Sequence, residues 1–355
     1  MRLRRFTGAA FRLGRFCGVW LGVGLLSGCS TASYLWQAGR GQLEIMNRAR
    51  PIDEVLRDER TSPKLKRLLS EIPRIKVFGE ANGLKATGNY VDYVQLDRAA
   101  ASWVVSGCGK FDFIPRRWSF PIVGSFTYLG WFDIGGARKL ADSLKDQGLD
   151  VDLRGARAFS TLGWFRDPVL STMIGDDDDA MGDLVNTVLH ESVHATFYVN
   201  GQSSFNESIA SFVADRMAPQ YLEEALGPTD PLTVAYRKAE TEGGRRREIM
   251  RATYLKLVSL YASSVSETEM QTKKSEILAG AKTQAGLKRD ITNATLVQFK
   301  TYGTGEAEFT KLFTACGGDW KRFWKAVSAI QTSSFAAPQM EEFGPVVLQV
   351  ADAGC

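Results

Sequence analysis

The stretch His190-Glu191-Ser192-Val193-His194 contains both histidines of a 355-residue chain. On a helix, residues i and i+4 share one face about one turn apart, so the two imidazoles can approach one zinc ion at roughly 2.0–2.1 Å. Glu191 stands beside them, suited to act as general base on a water at the metal. Two randomly placed histidines fall four apart in about one such chain in two hundred, and a glutamate in the second position lowers that to roughly one in several thousand. A catalytic zinc takes three protein ligands and keeps one position open. With no further histidine, the third ligand must be a carboxylate or a thiolate. The alternative reading of His190 and His194 is a pair of polar histidines in a core.

Around this motif the sequence predicts a helix from about Met181 to Asn200, stopped at Gly201, which suits a left-handed residue just past a helix end. Asp176 to Asp179 precede it and favour the positive end of its dipole; they lack the spaced ligands and glycine of a calcium loop and read as a solvated acidic loop. A third histidine six residues after His194 is excluded, because Asn200 stands there and Phe197 replaces the usual glycine. A second helix starts near Phe205 and ends before Pro219. Its Glu207 is the best third ligand, and a turn at Gly201 would fold it back over the first helix. Ser204-Phe205-Asn206-Glu207 also fits a capping box, in which the glutamate would reach back to the helix N-terminus instead.

Upstream, Ile52, Val55 and Leu56, then Leu65, Leu68 and Leu69, predict two short helices with Pro51 and Pro63 in their first turns and Pro73 stopping the second. Between Ile75 and Phe132, aromatic and β-branched clusters broken by glycine and proline predict short helix and strand pieces. Gly135 to Gln147 reads as a helix and Val151 to Phe159 as a strand. Beyond the second helix come helical segments over Leu232–Ala262, Glu267–Ala285, Thr295–Tyr302, Phe309–Cys316 and Trp320–Ile330. The fold class is α+β, mainly helical. The expected division is an α/β part over about 29–175 and a helical catalytic part over about 176–355.

The composition is that of an ordinary globular chain, 44% hydrophobic and 24% charged. Its formal charge of +4 is set by the N-terminus, since residues 1–28 carry five arginines and no acid. Without them 39 basic residues face 40 acidic ones, a balance of −1 that gives no electrostatic case for nucleic acid. Those residues, arginines followed by an apolar run from Phe16 to Leu26, form a secretory signal peptide too short to span a bilayer. Leu26-Ser27-Gly28-Cys29 resembles the lipobox of bacterial lipoproteins; a plain signal peptide with a chance cysteine is the alternative. The resemblance implies cleavage before Cys29, acylation of Cys29 as a membrane anchor, and, with Ser30 following, an outer-membrane lipoprotein facing the periplasm. Cys108, Cys316 and Cys355 then remain, so at most one intrachain disulfide can form. Cys355 could staple the C-terminus to the body, or all three could be buried inert thiols.

HExxH followed on the next helix by Asn-Glu-x-x-Ala, here His190, Glu191, His194, Asn206, Glu207 and Ala210, resembles the gluzincin pattern, with a shorter interval between motif and glutamate. Phe159 to Pro168, His190 to Tyr198, Phe205 to Val213, Gly130 to Asp133 and the region from Asn293 to Tyr302 resemble the family of predicted aminopeptidases of bacterial envelopes. These resemblances imply Zn2+ held by His190, His194 and Glu207, with Glu191 as the base that cleaves peptide or envelope-protein substrates. A tyrosine is expected to stabilise the oxyanion, Tyr302 or Tyr198. Trp164 and Phe165 either line a substrate cleft or belong to the core. Rival readings are a non-catalytic envelope lipoprotein with a structural zinc, and an amidase or endopeptidase acting on peptidoglycan.

Overall fold

A computed structural model describes residues 34, 36–120, 124–158, 166–301 and 305–355. The expectations placed on the signal peptide and Cys29, on Trp164 and Phe165, and on Tyr302 lie outside these residues. The described chain is mainly helical with three small sheets.

Residues 36–48 form α1, a helix absent from the sequence reading because its apolar residues do not all face inward. Helix α2 (Ile52–Arg57) follows at once, then α3 (Pro63–Ala81), whose N-cap Ser62 accepts a hydrogen bond from the Leu65 amide. Pro73 does not stop α3, contrary to expectation. A helix-interior proline costs about 3 kcal/mol, whereas burying each large apolar side chain returns about 1.5–3 kcal/mol. Leu68, Leu69, Ile72 and Ile75 are all buried along one face, so packing outweighs the lost hydrogen bond.

The strands are short: β1 (Arg50–Pro51), β2 (Asp92–Val94), β3 (Ser102–Cys108), β4 (Trp118–Phe120), β5 (Gly124–Phe126), β6 (Tyr128–Trp131), β7 (Asp150–Ala156) and β8 (Val169–Leu170). Strand β3 is the centre of an antiparallel sheet between β6 and β7, β4 pairs with β5, and β2 lies between β1 and β8. Helix α4 (Ile134–Asp146), capped by Asp133 on the Gly136 amide, buries Ala137, Ala141 and Leu144 against Val105 and Val151. The β7 strand ends at Ala156, short of the expected Phe159.

The helical part comprises α5 (Ala180–Thr196), α6 (Ser203–Leu226), α7 (Pro231–Tyr261), α8 (Glu267–Gln284), α9 (Asn293–Thr301), α10 (Glu306–Ala315), α11 (Trp320–Val327) and α12 (Gly344–Ala353). Helix α5 is central: Leu184, Val185, Val188, Leu189 and Val193 are buried, with Ile209, Val213 and Met217 of α6 in the same core. Helix α6 runs past Pro219 to Leu226, where the sequence predicts an end. Tyr221 and Leu222, buried beyond the proline, hold that last stretch in the core. Cys316 and Cys355 form a disulfide that ties the C-terminus to α10, and Cys108 is a buried free thiol.

A buried polar network joins α8 and α9 to β7. Lys274 donates to Asp150 (2.6 Å) and to the Lys110 carbonyl (2.7 Å). Asn293 donates through its amide side chain to the Gly109, Lys110 and Asp112 carbonyls. Asp152 accepts from Thr295 (2.9 Å) and Arg289 (2.7 Å). Residues 150, 152 and 154 share one face of the strand, so this network also sets where Arg154 stands.

Helix α7 approaches α5 closely at Gly182, where a Cβ would lie 2.2 Å from the ring of buried Tyr236. Overpacking of this kind costs about 1–3 kcal/mol. Gly182→Ala is expected to lower unfolding stability by that amount in denaturant titration; an unchanged midpoint would contradict the packing.

Candidate metal centre

Helix α5 stops at Thr196, not at Asn200 as the glycine signal suggests. The cause is Asn206, which is 1% exposed. Its Oδ1 accepts from the Val199 amide and its Nδ2 donates to the Val199 carbonyl, both at 2.8 Å. An Asn side chain thus closes a two-bond bridge onto the connector, and a helix continuing through residue 199 would leave this buried amide unpaired. Gly201 adopts φ +76° in the turn that follows, and its carbonyl accepts from the Gln339 amide. Gln202 occupies the N-cap position of α6, but its side chain does not cap the helix: it donates to the Ala337 carbonyl and accepts from the Met340 amide.

The N-cap is therefore Gln202 rather than Ser204, and Glu207 is not engaged in a capping box. Its carboxylate faces the imidazoles: His190 Nε2 lies 3.5 Å from Oε2, and His194 Nε2 3.7 Å from Oε1. The three ligand atoms lie within 4.8 Å of one another, and they form a group that could hold a metal ion. Ligands bound tetrahedrally to zinc at roughly 2.0–2.1 Å stand about 3.4 Å apart, close to these separations. The donor set, two imidazoles and a carboxylate, is one that zinc accepts at a catalytic site. The buried His194 Nδ1 atom has no hydrogen-bond partner among the described residues, and its ring lies edge-on to His190 (centroids 5.0 Å) and to Tyr198 (6.4 Å).

Electrostatics prepare the same group. Burial lowers the His190 pKa, but the hydrogen bond and charge of Glu207, with Glu191 and Asp215, outweigh it and hold the value above 6.5. His194 is pushed down to about 4, chiefly by burial, so it is neutral near pH 7 and free to act as a ligand. For Glu207, burial acts upward, yet the His190 hydrogen bond and the charges of His190, His194 and Arg154 keep the carboxyl below its ordinary 4.5.

Glu191 is carried by α5 next to His190, and its charge acts on both His190 and Tyr90. Tyr198 lies on the Glu207 side, its phenol pKa raised by desolvation and by Glu207. Three further residues had no signal in the sequence. The charge of Arg154 of β7 acts on Glu207, and desolvation followed by the Glu207 carboxylate raises the phenol of Tyr128 of β6 well above its ordinary value, so it stays protonated. Tyr90, buried at 4% exposure, has φ +62°, a left-handed conformation that bulky residues seldom adopt. Its amide donates to the Asp167 carbonyl at 2.8 Å, and the charges of Glu191 and Asp167 raise its pKa after burial. Only the sheet register and the tertiary packing bring these residues to the helix pair.

A family model described as "Putative aminopeptidase" matches residues 33–340. The chain belongs to this family. The match to the aminopeptidase family spans the sheets, the α5–α6 pair and the helices as far as residue 340. No curated protein and no solved structure matches the chain.

In the metal-free protein, the raised His190 contributes stability that is present below pH 6.5 and lost as pH rises through its folded value. The depressed Glu207 contributes stability present above pH 4.5 and lost as pH falls through its folded value. The metal-free pair is thus most stabilising between those limits. Metal must displace the His190 proton, so apparent zinc affinity is expected to fall as pH drops below the His190 value, with proton release on binding. Calorimetric titration in buffers of different ionisation enthalpy checks this; affinity independent of pH across that range would contradict it. Asn206→Ala leaves the amide of buried Val199 unpaired, at about 1–3 kcal/mol, while its carbonyl keeps the bond from the Gln202 amide (3.2 Å), and is expected to weaken metal binding in protein that is still folded. Unchanged affinity would remove Asn206 from the support of the site.

Proposed function

We propose that the chain is a zinc-dependent peptidase of the cell envelope, acting as an aminopeptidase on peptides or envelope proteins. In this reading residues 1–28 direct export, Cys29 carries the lipid anchor at the outer membrane facing the periplasm, and residues 29–355 form a gluzincin-like metallopeptidase. The α/β part, about 29–175, supplies Tyr90, Tyr128 and Arg154 to a catalytic part over about 176–355. The observation that carries the reading is the convergence of His190, His194 and Glu207 from two helices with Glu191 on the same helix as the imidazoles. Membership of the aminopeptidase family supports the peptidase chemistry.

His190 and His194 through Nε2, and Glu207 through its carboxylate, would hold the ion. When bound, zinc supplies Lewis acidity toward the water and the scissile carbonyl. Glu191 takes the proton of the attacking water and delivers it to the leaving amine, the double role of a single carboxylate base. Tyr198 and Tyr128 remain protonated beside Glu207 and serve as donors for charge developing on the carbonyl oxygen. Arg154 adds a positive charge on the same side.

Glu191→Gln removes the base while keeping the shape of the side chain. It is expected to leave folding and metal content unchanged and to lower turnover of amino-terminal peptide substrates by at least about 100-fold, the usual scale of general-base catalysis. Turnover retained in the variant would overturn the mechanism. Treatment with a chelator is expected to abolish turnover, with recovery on adding zinc; activity that survives metal removal would overturn the metal dependence.

A further inference from the structure

The first helix presents an apolar stripe to solvent. Trp36, Leu43 and Met46 are 75%, 58% and 45% exposed. Their spacing of seven and three residues puts them on one side of a helix, with Arg40 beside them. Arg40 forms no ion pair with any described residue, and no acid interrupts the stripe. The opposite side is fixed to the body. Ile45 is fully buried, Gly41 packs so closely on Phe132 that a Cβ would lie 2.1 Å from its ring, and Gln37 donates to the Gly130 carbonyl and accepts from the Phe132 amide. The helix cannot roll its apolar residues inward without breaking these contacts.

We propose that this outer face of α1 lies in the headgroup layer of the bilayer that carries the protein. The inference rests on the reading of Cys29 as the lipid anchor. Cys29 and Trp36 are seven residues apart, and an extended chain spans at most about 3.6 Å per residue, so the stripe begins within about 25 Å of the acylated residue. A tryptophan suits the membrane–water interface, Leu43 and Met46 supply apolar area, and unpaired Arg40 suits anionic headgroups. No described helix is long and apolar enough to cross a membrane, so contact through one face is the geometry available to α1. With the anchor and the stripe both engaged, the body is held in one orientation rather than swinging on a tether.

Two readouts separate the helix from the anchor. Mass spectrometry of protein extracted from membranes reads acylation of Cys29 directly. The purified protein is then placed in vesicles of phosphatidylethanolamine and phosphatidylglycerol with brominated acyl chains, and tryptophan fluorescence is compared with that of Trp36→Phe. Strong quenching in the parent that falls several-fold in W36F, and in an L43E/M46E variant whose acylation and circular dichroism are unchanged, is the expected result. Equal quenching in all three, or protection of Trp36 in a detergent-stable dimer, would overturn the proposal. If Cys29 proves unacylated, the anchor reading fails. The helix is then judged by co-sedimentation of the same protein with these vesicles: binding lost in L43E/M46E supports the membrane face, and absence of binding overturns it.

Discussion

The two hydrogen bonds between the Asn206 side chain and the Val199 backbone are the constraint on which the site depends. They end α5 a turn early, set the length of the connector, and fix where α6 begins. Because Glu207 follows Asn206 directly, the same bridge brings a carboxylate opposite two imidazoles one helical turn apart. A shift of one residue in the start of α6 would rotate Glu207 by about 100° and take it off this face. The apolar residues of the helix pair supply the adhesion, while Asn206 selects the register. The cost of burying a polar side chain is offset because the buried Val199 amide would otherwise be unsatisfied.

Around this pair, electrostatics and packing from distant parts of the chain converge. The buried network of Asp150, Asp152, Lys274, Asn293 and Thr295 does not touch the imidazoles, yet it fixes β7 and so sets the position of Arg154 relative to Glu207. Tyr90 holds a left-handed backbone conformation, which costs on the order of 1–3 kcal/mol and persists only where the surroundings enforce it. Its amide bond to Asp167 and the burial of its ring supply that enforcement beside Glu191.

The helical, α+β character and most helices from α4 onward were legible in apolar periodicity and in the glycine and proline signals, while the caps at Ser62, Asp133 and Asp230 emerged only in the structure. The proximity of Glu207 to the histidines was legible for a chemical reason, since two histidines alone do not complete a zinc site. What the sequence concealed came from tertiary packing. Pro73 and Pro219 carry strong local stop signals that burial of neighbouring side chains overrides. Gly201 signals a helix end correctly in kind but four residues late, because the bridge from Asn206 acts across the connector. Helix α1 escaped notice because its apolar residues lie on both faces. Tyr128 and Arg154 reach Glu207 through strand register, which no local pattern in their own segments encodes.

The most direct measurement is the metal content of the purified protein, by elemental analysis, beside a Glu207→Ala variant shown to be folded. A site of two imidazoles and one carboxylate requires about one zinc per chain in the parent and a marked loss in the variant. Absence of zinc from protein purified without chelator and supplied with the metal would contradict the metal centre and leave the HExxH sequence without its chemistry.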